Sequence, residues 1–195
     1  MRLFLALDID ESIRRRMVRF IEGVRDFSPD ARWVRPESLH VTLKFIGEKS
    51  ADEAGRIKQL LKAIAADGFE MNFRGYGFFP TARAARVFWV GIEAGEKLPA
   101  LAAAVDKSLA QIDIAKEEHA FNPHLTLARS SGRSGSPRRQ AGDRPNHSFQ
   151  RLQEKLVVLS QPEFGSMTAR EFFLYESKLS PTGSRYTKLE EFALR

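Results

Sequence analysis

The chain has 195 residues, 43% of them hydrophobic and 29% charged, enough to bury a core as one domain or as one domain of two similar lobes. Its 31 Lys and Arg against 25 Asp and Glu give a formal charge of +6, a field that attracts anionic partners, nucleic acid foremost. The absence of cysteine excludes disulfides, thiolate nucleophiles and Cys-ligated zinc together, and fits a reducing cytoplasm, the expected location.

In chain order, Arg2 to Ile9 is a continuous apolar run, expected to form a central strand. It is too short for the hydrophobic region of a signal peptide and is closed by Asp8 and Asp10. No run approaches the ~20 apolar residues that span a bilayer, so a soluble chain with no membrane partner is expected. Asp10 predicts the cap of a helix reaching about Asp26, with Ile13, Met17, Phe20, Ile21 and Val24 on one face. "RWVRPESLH" reads as a short strand and a Pro-led turn, and "LHVTLKFIG" as a strand stopping at Gly47. Ser50 and Glu53 predict a capping box that opens a second helix, with Ile57, Leu60, Leu61 and Ile64 turned inward and an end near Gly68. "FEMNFRGYGFFP" alternates as a half-exposed strand, "RVFWVGIE" is a buried strand, "KLPALAAAVDKSLAQI" an amphipathic helix and "FNPHLTLAR" a strand.

Residues 129–148 are rich in Ser, Gly and Arg and have no apolar periodicity. They are expected to form a mobile basic loop, either gripping an RNA backbone or simply solvated. "LQEKLVVL" suits a helix or a strand. "REFFLYESKL" and "RYTKLEEFAL", joined by "SPTGS", predict a closing hairpin with a five-residue loop.

Two of the four histidines stand in the same tetrapeptide pattern, "HVTL" at 40–43 and "HLTL" at 124–127. The motifs lie 84 positions apart, and so do Phe4 and Phe88, which open two of the buried strands. Matched spacing across two elements predicts two lobes of similar build, each contributing one motif.

In a strand, residues i and i+2 share a face. His40 and Thr42 therefore project together, with Val41 and Leu43 in the core behind them, and His124 and Thr126 do the same. If the strands face one another, the groove between them holds two imidazoles and two hydroxyls. An imidazole with a pKa near ~6.5 serves as either acid or base at neutral pH. One can take a proton from an attacking oxygen while the other gives one to a leaving oxygen, and threonine hydroxyls can donate to phosphate oxygens. Such a reaction needs no metal, and a bell-shaped pH dependence is expected of it.

A single His-x-Thr on a strand is usually structural, but two among four histidines are a different matter. A metal site is the sharper rival, because two histidines begin many zinc or manganese sites. Neither strand offers an acidic neighbour on its His face, and Glu117 and His119 are cut off by the Asn122–Pro123 bend. His119 and His147 stand in polar or loop contexts and are expected at the surface.

"HVTLKFIG" and "HLTLAR" resemble the motifs of the 2H phosphoesterase superfamily, and within it the RNA 2′,3′-cyclic phosphodiesterase family, long called 2′-5′ RNA ligase. The resemblance runs through "RLFLALDI", "WVRPESLHVTLKFIGE" and "LYESKLSPTGSRYTKLEEF", so it covers nearly the whole chain. It implies an α+β fold of two similar lobes, each a mainly antiparallel sheet with helices on its outer face, flanking a central cleft. It implies opening of a terminal 2′,3′-cyclic phosphate of RNA to a 2′-phosphomonoester, with no metal and no cofactor; a monomer is expected. His40 would be the proton donor, His124 the proton acceptor, and Thr42 and Thr126 would hold the phosphate. The reverse step would join RNA ends through a 2′-5′ bond.

Arg129 matches a phosphate-contacting arginine of the family, although simple alternation puts it opposite His124 unless the strand ends or bulges first. Phe45 matches an aromatic that could stack on a terminal base, although parity puts it opposite His40, where it would pack in the core. Small cyclic nucleotides or ADP-ribose cyclic phosphate are alternative substrates. A non-catalytic binder of RNA ends is a third reading.

Overall fold

The computed structural model describes residues 1–131, 147–180 and 183–195. In chain order the strands are β1 (Arg2–Leu7), β2 (Arg32–Trp33), β3 (Val41–Glu48), β4 (Phe69–Phe79), β5 (Val87–Glu93), β6 (His124–Arg129), β7 (Glu163–Ala169), β8 (Glu171–Ser180) and β9 (Gly183–Ala193). The helices are α1 (Glu11–Val24), α2 (Ala51–Lys62), α3 (Lys97–Leu109) and α4 (Gln150–Val157). The strands form a four-stranded sheet, β3-β1-β8-β9, and a five-stranded sheet, β2-β6-β5-β4-β7. Neighbours pair antiparallel throughout. The predicted α+β class with two mainly antiparallel sheets is what the chain adopts.

The two halves of the chain do not form the two lobes separately. α1 follows β1 of the first sheet but packs on β7 of the second. Arg16 in α1 donates to the Phe164 carbonyl at 2.9 Å, and Phe20 packs edge-on against Phe164. In mirrored fashion α3 follows β5 of the second sheet but packs on β3 of the first and on α2. There Lys44, only 3% exposed, pairs with Asp106 and donates to the Ala115 carbonyl at 2.8 Å. A charge this deeply buried needs both partners, because stranding one of a buried pair typically costs about 3–5 kcal/mol. Each sheet is thus backed by a helix exchanged from the other half. One contiguous cluster of buried apolar side chains draws on both sheets and all four helices.

Local signals account for most of the elements. The capping box at Ser50 is made in both directions, with Glu53 N donating to Ser50 Oγ at 3.2 Å and Ser50 N to Glu53 Oε2 at 2.8 Å. Asp10 holds the N-cap position of α1 but makes no side-chain cap hydrogen bond, so its predicted capping role is not realised. "LQEKLVVL" resolves as helix α4, which buries Leu152 and Leu156 one turn apart. β7 carries few apolar residues and no prediction; it is placed by backbone pairing to β4 and by α1. Gly165 of β7 takes a φ of +98°, a conformation side chains rarely adopt, where the Arg16 side chain of α1 crosses the strand. In the closing hairpin Ser180 pairs with Gly183, so the strands take up residues assigned to the five-residue loop. The first residues of the segment expected as a mobile loop are tied into the sheet. Arg129 is a paired strand residue, and buried Ser130 donates its N–H to the Arg86 carbonyl at 2.8 Å. Residues 132–146, the rest of that prediction, lie outside the described residues.

Candidate active site

Both motif strands carry a bulge at the same place. Across β1 and β3, Leu5 opposes Lys44 and Ala6 opposes Thr42, so Leu43 is the extra residue. Across β5 and β6, Phe88 opposes Ala128 and Trp89 opposes Thr126, so Leu127 is the extra residue. Leu43 and Leu127 are 84 positions apart, as the histidines are. An extra residue reverses the alternation beyond it. Leu43 and Lys44 are buried in succession, and so are Leu127 and Ala128.

Phe45 and Arg129 consequently join the face that carries His40 and Thr42, or His124 and Thr126. For Arg129 this supplies the bulge that a place on the His124 face requires. For Phe45 it corrects the expectation of core packing: the ring is 58% exposed and lies 6.1 Å from Phe4, which is itself 5.0 Å from His40.

The two imidazoles are anchored identically. His40 Nδ1 donates to the Ser38 carbonyl and His124 Nδ1 to the Asn122 carbonyl, each at 2.7 Å and each two residues upstream. Because a carbonyl can only accept, Nδ1 carries a proton in both rings, which leaves Nε2 as the nitrogen able to take up or give a further proton. His40 Nε2 lies 3.1 Å from Thr42 Oγ1.

The motif strands lie against each other where the sheets meet. The chain itself joins them: β2 pairs with β6, Val34 N donates to the Leu127 carbonyl at 2.8 Å, and seven residues later the chain reaches β3.

Arg129 acts electrostatically on both imidazoles. Burial is the main force on His40 and lowers its pKa to about 4; Arg129 and Arg14 push the same way, against the Ser38 carbonyl and Asp8. Burial and then Arg129 lower His124 too, against the Asn122 carbonyl. Arg129 itself is depressed mainly by burial. An anion in this cleft meets a partly desolvated guanidinium with little water to compete.

Sequence reasoning did not single out the aromatic walls. Beside His40 stand Phe4, Tyr175 and Tyr186 at 5.0, 6.4 and 5.3 Å between ring centroids. Tyr186 comes from β9 yet acts on Arg129 of the other sheet. Beside His124 stand Phe79 at 4.9 Å and Trp89 at 6.3 Å. Trp89 lies over Gly77, where a Cβ would come within 2.2 Å of the indole. Its Nε1 is buried without a hydrogen-bond partner among the described residues. Alternation in "YGFFP" and "RVFWVGIE" marked these rings as strand residues but gave no sign of which face met the histidine.

Among the described residues no three His, Asp or Glu gather as a metal-ligand set, and no helix is long and apolar enough to cross a membrane. His119 and His147 are exposed, as expected.

The comparisons with known proteins agree with this geometry. Residues 7–89, which include the first motif, match the family described as LigT like Phosphoesterase. The RNA 2′,3′-cyclic phosphodiesterase of Methanothermobacter thermautotrophicus is 33% identical over 99% of this chain and 98% of its own length. The chain belongs to the LigT-like phosphoesterase family. The RNA 2′,3′-cyclic phosphodiesterase of Archaeoglobus fulgidus is 32% identical over 98% of this phosphoesterase and 99% of itself. Among solved structures, Escherichia coli LigT complexed with 3′-AMP superposes with a TM-score of 0.77 at 27% identity, covering 99% of this chain and 97% of that one. A Thermus thermophilus protein, TT0787, does so at 0.78 and 28%, covering 100% and 98%.

Proposed function

We propose that this phosphoesterase opens the 2′,3′-cyclic phosphate at an RNA end to a 2′-phosphomonoester by metal-independent acid–base catalysis. The observation that carries the reading is the pair of identically tethered imidazoles on matched bulged strands, both under the influence of Arg129. The names of its full-length relatives support the substrate.

His124 Nε2 takes a proton from water as its oxygen bonds to phosphorus. The P–O3′ bond breaks, and His40 Nε2–H gives its proton to the departing O3′. Thr42, Thr126 and Arg129 donate to the non-bridging oxygens, where charge grows. Phe45, exposed beyond Thr42, offers a ring on which the terminal base stacks. With a 5′-hydroxyl in place of water, the same attack on phosphorus expels O3′ and forms a 2′-5′ linkage. All these groups come from one chain, so it acts as a monomer, and its cysteine-free sequence suits the cytoplasm.

The test incubates the protein in EDTA with an oligoribonucleotide ending in 2′,3′-cyclic phosphate and analyses the new end. A 2′-phosphate is expected; intact substrate contradicts the proposal. Running the mononucleotide in parallel separates RNA from small cyclic nucleotides, since only an oligomer should lose turnover steeply as salt rises.

Both imidazoles are neutral near pH 7 in the empty cleft, because both are depressed from 6.5. Activity rises with pH as the base loses its proton and falls as the acid does. The profile of kcat/KM is therefore expected to be a bell whose maximum lies below pH 6.5. The kcat profile sits higher, because a bound phosphate opposes the field of Arg129. A kcat/KM flat between pH 5 and 9 contradicts paired acid and base.

A further inference from the structure

The two histidines are tethered alike, but what faces each across its sheet differs. β1 and β3 pair with Ala6 opposite Thr42 and Leu7 opposite Val41, and one more step of that register sets Asp8 opposite His40. Directly opposed residues project to the same face with Cβ atoms ~4.5–5.5 Å apart. In the second sheet the residue opposite His124 is Gly91. A Cβ there would lie 2.8 Å from the Arg74 carbonyl oxygen, so no side chain fits. The near-symmetry of the site is broken by one carboxylate.

Asp8 is held from several elements. Lys188 of β9 approaches it at 2.7 Å and Arg14 of α1 at 3.5 Å, and it acts electrostatically on the Tyr175 hydroxyl of β8. Arg14 also donates to the carbonyls of Ile9, Pro36 and Leu39, and so braces the turn that brings the Ser38 carbonyl to His40. The other charged or titratable groups around His40 are Arg14, Arg129, Tyr175 and Tyr186. Both arginines oppose a protonated His40; Asp8 is the group among the described residues whose negative charge favours it. Burial and Asp8 together hold the Tyr175 phenol well above its usual value, so it stays neutral beside that carboxylate.

We propose that Asp8 is a positioning residue that supports His40 as the acid, a support that His124, facing Gly91, lacks. This rests on the acid–base reading above. A substrate phosphate offsets Arg129 for both rings alike, whereas Asp8 raises His40 alone and so narrows the gap that burial opens between the two rings. A proton held there against burial is held weakly, which makes His40 a strong acid toward O3′.

The test titrates the imidazoles by NMR in the wild type, Asp8→Asn, Asp8→Glu and Lys188→Met, with signals assigned from His40→Ala and His124→Ala. Asp8→Asn is expected to lower the His40 midpoint by about half a unit or more and leave His124 in place. Asp8→Glu restores most of the shift. Lys188→Met, which unmasks the carboxylate, moves His40 the opposite way, and it decides the matter if Asp8→Asn fails to fold. On the cyclic phosphate, Asp8→Asn is expected to lower kcat at pH 7 about three- to tenfold, with KM little changed. Equal shifts of both histidines, no shift of His40, or lost activity with unchanged titrations overturn the proposal. A wild type that leaves the cyclic phosphate intact sinks the functional reading instead, while the titrations still report whether Asp8 governs His40.

Discussion

Changing His40 or His124 to alanine is expected to lower kcat on an RNA 2′,3′-cyclic phosphate by about a thousandfold, with KM altered little. Proton transfer by a positioned imidazole contributes roughly 10²–10⁴ in rate, and each ring here has one nitrogen committed to a backbone carbonyl and the other free for chemistry. The double variant should be scarcely slower than either single one, because the two transfers serve one step. Single-turnover assays in EDTA measure both effects. Unfolding can be separated from lost chemistry by the pH dependence of stability. An unfolded histidine takes its proton near pH 6.5, whereas folded His40 resists until about 4. The wild type therefore loses stability as pH falls through that window, and His40→Ala should be less sensitive there.

The second large effect is expected at Arg129. Arg129→Ala should lower kcat/KM by about 10²–10³, the usual worth of a buried donor aimed at developing charge. Arg129→Lys should recover only part of it, since an ammonium lacks the planar fork that meets two phosphate oxygens. A further signature accompanies the loss. Arg129 depresses both imidazoles, so removing it lets both pKa values rise and moves the kcat/KM maximum to higher pH. A solvated arginine at the mouth of a loop would produce neither change.

The sequence announced the paired motifs, the strands that carry them and the capping box, because these are local or strictly periodic signals. What it hid were the consequences of one extra residue just after each motif threonine. Period-2 alternation sent Phe45 and Arg129 to the wrong face; the bulges at Leu43 and Leu127 return them, and nothing in "HVTLKF" or "HLTLAR" marks a bulge. The exchange of α1 and α3 between sheets was hidden too, since an amphipathic face does not say which sheet it covers; Lys44–Asp106 and Arg16–Phe164 are long-range contacts. β7 escaped because Gly165 and a polar face broke the pattern its backbone pairing supports. Asp8 read only as the end of an apolar run; its place opposite His40 required the register of two strands.

The roles given to the two histidines are tested most directly by a substrate whose 3′ bridging oxygen is replaced by sulfur. A thiolate leaves without help, its conjugate acid having a pKa of about 8.5. On this substrate His40→Ala should approach the wild-type rate, while His124→Ala, lacking the base for water, should remain about a thousandfold slow. If both variants are equally impaired with sulfur as with oxygen, His40 is not the group that protonates the leaving atom, and the mechanism built on the two bulged strands is wrong.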